Sequence, residues 1–259
     1  MSDIPTGRRS SRDHRLRKIV ELLRSGITRV EDLAVAGNVS ESTIRRDLAS
    51  LEAEGRIDRT YGGARPSAPY RETKLGERMK IEGAAKAGIA ATAAEWVEDG
   101  ATVFVDAGST CAQLVEHLRN RHDLTVVTRG LEIGLMLADS SVKVVVVGGE
   151  VSPSSHGLTG AVTLFVLERF SFDIAFLGCD AVHPSRGVGE PTLEEAATKE
   201  MAARHAGRTV VLAHAAKLAT EAVPAWAHLP PGWTLVTDEA NEQFLAPYRL
   251  EGVSVVGVD

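Results

Sequence analysis

The sequence predicts an α/β chain in two parts: an N-terminal winged helix-turn-helix, followed by a larger α/β domain. Residues 16–51 carry three apolar stripes at helical spacing, with turn signals between them. The proline-bearing stretch Arg65-Pro66-Ser67-Ala68-Pro69 follows, and each proline biases its predecessor away from helix. Beyond it, short β-rich apolar runs alternate with helical stretches, the pattern of a largely parallel sheet covered on both faces.

Taken in order, residues 1–11 are polar and expected to fray. Leu16, Ile19, Val20 and Leu23 make an i, i+3, i+4, i+7 stripe that Gly26 terminates. Thr28-Arg29-Val30-Glu31 reads as a capping box opening a second helix with Val30, Leu33 and Ala34 on its apolar side. Gly37-Asn38 supplies the turn, since both residues tolerate positive φ, and Val39 packs into the angle before the third helix.

That third helix is the most informative segment. Ser40 is a good N-cap, and Ile44, Leu48 and Leu51 fall on one face. At about 100° per residue, Ser42 and Arg46 point away from that face, with Thr43 and Arg45 on its flanks. Hydroxyls and guanidiniums near a helix N-terminus suit phosphates and base edges in a major groove. The stretch from Gly55 to Ala64 reads as a wing, offering Arg59, Tyr61 and Gly62 to a duplex backbone. The competing reading is a plain three-helix unit with solvated arginines; cap, turn, outward arginines and wing in the right order favour a DNA-binding domain over residues 1–65.

Charge partitions with this division. The chain carries a net charge of -6, yet residues 1–65 hold +3 and residues 66–259 hold -9. A charge of +3 is modest for a nucleic-acid binder, so the protein is expected to act as a homodimer or homotetramer on repeated half-sites. With 44% hydrophobic and 25% charged residues the composition is that of a globular protein. Cys111 and Cys179 have no metal-ligand spacing, so no metal and no disulfide framework is expected. No leader or long apolar run is evident, which places the protein in the cytoplasm with no membrane partner.

After a linker over residues 66–73, the second domain spans 74–259. Residues from about 74 to 97 form an alanine-rich helical stretch ending at Asp99-Gly100, either covering the domain or serving dimerisation. Strands are expected at 102–105, 124–127, 142–147, 174–177, 209–212, 235–237 and 254–258, with ligands binding beyond their carboxyl ends. Asp106-Ala107-Gly108-Ser109-Thr110 follows the first of these and opens a helix. Glycine allows close approach, the hydroxyls donate and the helix N-terminus favours an anion such as phosphate. Asp106 would repel phosphate and is better cast as an acceptor for a sugar hydroxyl or for loop amides. A simple strand-to-helix turn capped by Ser109 or Thr110 is the plainer alternative.

With these residues in hand, the chain resembles the DeoR family of bacterial transcriptional regulators. The matching residues are Val39-Ser40-Glu41, Thr43 to Leu48, Leu51-Glu52, Gly55, Arg59 and Tyr61 to Ala64, and the likeness continues through the second domain. The resemblance implies a sensor domain related to ribose-5-phosphate isomerase and CoA-transferase folds, double-stranded operator DNA as partner, and a phosphorylated sugar or related metabolite as effector. It places Asp106, Gly108, Ser109 and Thr110 in the effector pocket. At Thr128-Arg129-Gly130 the family usually has Thr-Asn-Ser, so Arg129 departs from the pattern, either strengthening anion binding or facing solvent. Gly148-Gly149 either permits a turn or, through Gly149, lines the pocket.

The family's Glu-Glu-Ala-x-x-Lys motif matches at Glu194, Glu195, Ala196 and Lys199, following Leu177-Gly178-Cys179-Asp180. Resemblance makes Lys199 a cation over the sugar phosphate and Asp180 a hydroxyl acceptor. Taken alone, Glu195 and Lys199 are an ordinary i, i+4 surface pair. At Ala213-His214-Ala215-Ala216-Lys217 the family commonly shows Ala-Asp-x-Ser-Lys, so Lys217 is retained while His214 and Ala216 replace a carboxylate and a hydroxyl.

The sequence therefore reads as a DNA-binding regulator, most simply a repressor of carbohydrate-metabolism genes, with no catalytic residues and no cofactor. The rivals are a sugar-phosphate isomerase-like enzyme and a DNA-binding protein that needs no ligand. The fused helix-turn-helix, which an isomerase does not need, separates the first rival from the preferred reading.

Overall fold

Leu16, Ile19, Val20 and Leu23 lie on helical residues and are buried against Val30 and Leu33 of α1 (Val30–Gly37) and Ile44, Leu48 and Leu51 of α2 (Glu41–Ala53). The computed structural model describes residues 15–16, 18–20, 22–23, 27–53, 57–66, 73–218 and 223–258, and the chain divides into two units, Met1–Arg71 and Glu72–Asp259. The expectations for residues 1–11, Gly26, Gly55-Arg56 and 67–72 fall outside the described residues.

In the first unit Asn38 ends α1 at φ 50°, and Ser40 Oγ accepts from Thr43 N at 3.2 Å as the N-cap of α2. The wing pairs β1 (Ile57–Thr60) with β2 (Gly63–Pro66) antiparallel, with Tyr61 and Gly62 as its turn and Gly62 at φ +78°. The capping box expected at Thr28 does not form. Arg29 is the N-cap of α1 and makes no side-chain cap bond. Residues 28–29 are instead drawn against the wing: Val30 N donates to Gly62 O at 3.1 Å, and Ala64 N to Thr28 O at 2.9 Å. Backbone pairing with the wing thus satisfies the first amide of α1, Val30 N, in place of a side-chain cap. Gly63 permits the approach, because a Cβ there would stand 2.0 Å from Thr28 O.

The second unit opens with α3 (Leu75–Arg78) and α4 (Gly83–Ala94). It continues through β3 (Thr102–Val105), α5 (Ser109–Leu118), β4 (Thr125–Thr128), α6 (Leu131–Leu137), β5 (Lys143–Val146), β6 (Glu150–Val151), β7 (Leu158–Thr159) and α7 (Ala161–Leu167). Then come β8 (Phe172–Leu177), β9 (Ala181–His183), β10 (Gly187–Glu190), α8 (Leu193–Arg204), β11 (Ala206–Leu212), β12 (Ala225–Ala227), β13 (Thr234–Thr237), α9 (Glu242–Leu250) and β14 (Ser254–Gly257). The continuous helix expected over 74–97 is broken: Glu82 takes φ 53°, and the buried Lys86 ammonium caps the break by donating to Arg78 O and Ile81 O. Ile89, Ala90 and Ala93 of α4 are buried in the domain core, so the stretch covers the sheet.

Seven strands form one sheet in the order β14-β13-β11-β8-β3-β4-β5, every pair parallel. Alternation sorts the side chains. Val103 and Val105 join Ile89, Leu114 and Ile133 on one face, while Phe104 and Val127 join Leu167 and Ala202 on the other. The order runs outward from β3 through β4 and β5 on one side, and from β8 through β11, β13 and β14 on the other. The reversal at β3/β8 makes a topological switch point, and it is beyond the carboxyl ends of such strands that open α/β sheets bind ligands. Two ribbons lacked a sequence signal: β6 with β7, and β12-β10-β9.

Candidate functional site

Two surfaces gather the residues singled out by the sequence. On the first unit, Ser40, Ser42, Arg45 and Arg46 are exposed and Thr43 is half-buried. Ser40 Oγ lies 2.9 Å from both Ser42 Oγ and Thr43 Oγ1, so the hydroxyls are held together at the start of α2. Arg45 pairs with Glu41 across one turn at 2.9 Å, a solvent-exposed contact that yields readily to phosphate. Arg46 lies exposed on α2, Arg59 on β1 and Tyr61 at the wing tip. The buried Asp47 accepts two bonds from Arg15, at 2.5 and 3.1 Å, tying α2 to the first helical stretch.

The second gathering lies at the carboxyl ends of β3 and β8. Asp106, directly after β3, is fully buried, and its oxygens accept three hydrogen bonds and meet one further cation. Oδ1 accepts from Ala107 N at 2.8 Å and Arg129 Nε at 2.5 Å; Oδ2 accepts from Gly178 N at 3.1 Å and stands 2.8 Å from Lys199 Nζ. Of the two acceptor roles considered for Asp106, its oxygens serve the loop amides, together with two cations. Those cations hold its carboxyl below the ordinary carboxylate range despite burial.

Arg129 does not face solvent: it is 1% exposed, and its Nη1 lies 3.4 Å from Glu195 Oε1. Glu195 and Lys199 are not a surface pair. The face of α8 carrying Glu195, Ala196, Thr198, Lys199 and Ala202 is buried, which sends the two charges to different partners. Glu195 Oε1 accepts from Ser155 Oγ at 2.7 Å, whereas Lys199 donates to Gly178 O at 2.8 Å and lies 2.6 Å from Glu190 Oε1, an ion pair outside hydrogen-bond geometry. Burial pushes the Glu190 carboxyl up to about 8, even with Lys199 beside it.

Gly108 precedes α5 at φ +137°, and Ala112 N is bonded to its carbonyl; the amides of Ser109, Thr110 and Cys111 occupy the first turn, where no intrahelical acceptor exists. Thr128 Oγ1 accepts from Gly130 N at 3.0 Å and so shapes the turn after β4. Gly149 has a packing reason: at φ +142°, a Cβ would stand 2.2 Å from Thr163 Oγ1 and 2.4 Å from Thr159 O.

Beside this cluster lies a cationic one. Asp180 Oδ1 lies 3.2 Å from both Arg78 and Lys217. Burial and the neighbouring charges of Lys217 and Arg78 lower Lys86; burial, Lys217 and Lys86 push His214 below its ordinary value. Sequence reasoning missed Arg78, Lys86, Ser155 and Glu190. Lys86 left a signal, since it shares the face of Ile89, Ala90 and Ala93 and so had to be a buried ammonium. The shallow cleft lined by Glu116, Arg119, Asn120, Asp139, Ser140 and Ser141 lies where α5 and α6 end, away from the carboxyl ends of the strands.

Comparison with known proteins finds matches for both units. Residues 15–68 match the DeoR-like helix-turn-helix domain, and residues 81–239 match the DeoR C-terminal sensor domain. The chain is 30% identical over 232 residues to the uncharacterized HTH-type transcriptional regulator FruR of Bacillus subtilis, covering 89% of this chain and 92% of that one. It is 30% identical over 239 residues to the lactose phosphotransferase system repressor of Staphylococcus aureus, covering 90% and 94%. Ribose 5-phosphate isomerase A from Methanocaldococcus jannaschii aligns with a TM-score of 0.39 and 20% identity, over 51% of this chain and 52% of that structure, too distant a likeness to carry an activity. No described helix is long and apolar enough to cross a membrane. A DNA-reading first unit and a sensor-type α/β unit in one polypeptide, matched along most of its length, make this chain a member of the DeoR family of transcriptional regulators.

Proposed function

We propose that the protein is a sequence-specific repressor of carbohydrate-metabolism genes whose α/β unit takes up a phosphorylated sugar or related metabolite. The observation that carries this reading is the gathering of Arg78 and Lys217 on one oxygen of Asp180, just beyond the end of β8, with Lys86 bonded to the Arg78 carbonyl. Like charges held together gain from a dianion, and helix amides add donors for its oxygens. Gly108, Ser109 and Thr110 would contact the phosphate with Arg78 and Lys217, while Lys86 adds its charge from behind. Asp106, Arg129, Glu195 and Lys199 neutralise one another beneath it, with Thr128 and Gly149 shaping the surrounding turns. Asp180 would orient Lys217. This mutual neutralisation also favours a sensor over an isomerase, since Arg129 and Lys199 hold Asp106 below the ordinary carboxylate range and so make it a poor proton acceptor.

Calorimetry with a panel of phosphorylated sugars and polyols tests the reading. A ligand should bind at micromolar to millimolar strength, and Lys217→Ala should weaken it about tenfold or more with little loss of fold, because one charged hydrogen bond is removed. Lys217 is 22% exposed, so its loss leaves no buried hole. Failure of every phosphorylated compound, and of inorganic phosphate, to bind would reject the reading.

On DNA, Ser40, Ser42, Thr43, Arg45 and Arg46 would enter a major groove while Arg59, Tyr61 and Gly62 meet the backbone. One such unit offers few phosphate contacts, so we expect a homodimer or homotetramer on repeated half-sites, in the cytoplasm with the DNA. Light scattering that shows a monomer both free and on operator DNA would contradict the assembly.

A further inference from the structure

Arg129 is the largest fully buried side chain among the described residues. Around it, Asp106, Glu190, Glu195 and Lys199 are 3% exposed or less. The ribbon of β6 and β7 closes over the guanidinium: Gly157 is bridged to Gly130, Leu158 N donates to Arg129 O at 2.7 Å, and a Cβ on Gly157 would stand 2.4 Å from Arg129 Nη1. Ser155 of the same ribbon fastens Glu195. The neighbouring cationic group is more open, with Lys217 22% and Arg78 15% exposed and Gly108 half-buried. Lys217 and Arg78 can thus be reached from solvent, whereas the interior at the ends of β3 and β4 is filled by Arg129 and its ion-paired partners.

We infer that Arg129 is a specificity-determining residue. Its guanidinium, paired with Asp106 and Glu195, fills the interior that the sugar portion of a long ligand would enter, and so limits the site to short, hydroxyl-poor phosphorylated ligands such as glycerol phosphate or a triose phosphate. The inference rests on the phosphorylated-ligand reading above. Two effects add. The side chain takes the space, and it takes the Asp106 and Glu195 oxygens that would otherwise accept sugar hydroxyls. A hydroxyl buried without an acceptor is strongly disfavoured, so a hexose phosphate loses on both counts.

The experiment is calorimetric titration of the full-length protein with glycerol 3-phosphate and with glucose 6-phosphate. The wild type should bind glycerol 3-phosphate at least about tenfold more tightly. Arg129→Asn, which shortens the side chain and frees carboxylate oxygens, should shrink that ratio at least about tenfold, while Arg129→Lys, which keeps charge and most of the bulk, should retain it. Equal wild-type affinities, or a folded Arg129→Asn protein with the wild-type ratio, would overturn the inference while leaving the phosphorylated-ligand reading intact. Should Arg129→Asn fail to fold, the wild-type ratio and the Arg129→Lys ratio decide. If neither compound binds the wild type and inorganic phosphate does not either, both readings fall together.

Discussion

Lys199 on α8 and Asp106 after β3 meet at 2.8 Å with both side chains buried, and this ion pair ties the helix carrying the Glu-Glu-Ala-x-x-Lys motif to an interior strand of the sheet. The ammonium also donates to Gly178 O and lies 2.6 Å from Glu190 Oε1, so it is surrounded by protein acceptors. Lys199 is therefore a structural cation before it is a ligand contact. Removing it strands Asp106 and Glu190 in the interior, and Lys199→Met should lower unfolding free energy by about 3–5 kcal/mol. Pairing it with Asp106→Asn should recover part of the loss. Denaturant unfolding of the single and double variants measures both, and a loss below about 1 kcal/mol for the single variant would refute the assignment.

Glu190 makes stability depend on pH. Its folded value of about 8 lies above the ordinary 4.5, so the folded state holds a proton that the unfolded chain releases. The contribution is fully present below 4.5, declines as pH rises, and is gone once pH passes about 8. His214 acts with the opposite sign: lowered from 6.5, it favours the fold above that value and loses the contribution as pH falls. Melting temperature should therefore drop between neutral pH and about 8 and then level off, and Glu190→Gln should flatten the decline. An unchanged slope in Glu190→Gln would show that another group is responsible.

The DNA surface separates into reading and positioning residues. Arg46→Ala should cost about 1–3 kcal/mol on a specific site and much less on random DNA, whereas Arg59→Ala should weaken both alike and lower the salt slope by about one phosphate contact. Fluorescence anisotropy across a salt series distinguishes them. Equal small losses with an unchanged slope would remove both assignments.

The strands were readable in the sequence because each is a short β-rich run bounded by turn residues, and all seven fall in the parallel sheet where sequence reasoning expected strands. Ile44, Leu48 and Leu51 were readable because helical period fixes their face. The strand-end network was not. That Lys199 passes over Glu195 to reach Asp106, or that Arg129 turns inward, depends on which helix face meets the sheet, and i, i+4 spacing carries no information about burial. The Thr28 cap failed for a related reason, since a wing remote in sequence supplied the bonds. Arg78 comes to Asp180 from 102 residues away, a pairing only the fold can make.

A repressor that takes up a ligand in its α/β unit changes its DNA affinity when the strand-end site fills, and a reciprocal titration measures that coupling. DNA selected from a random library by the full-length protein is titrated with and without saturating glycerol 3-phosphate, and glycerol 3-phosphate is titrated with and without that DNA. The account predicts a change in DNA affinity of about fivefold or more and the same factor in ligand affinity, as linkage requires, with both effects weakened in Lys217→Ala. Ligand bound by calorimetry with no change in DNA affinity would contradict it.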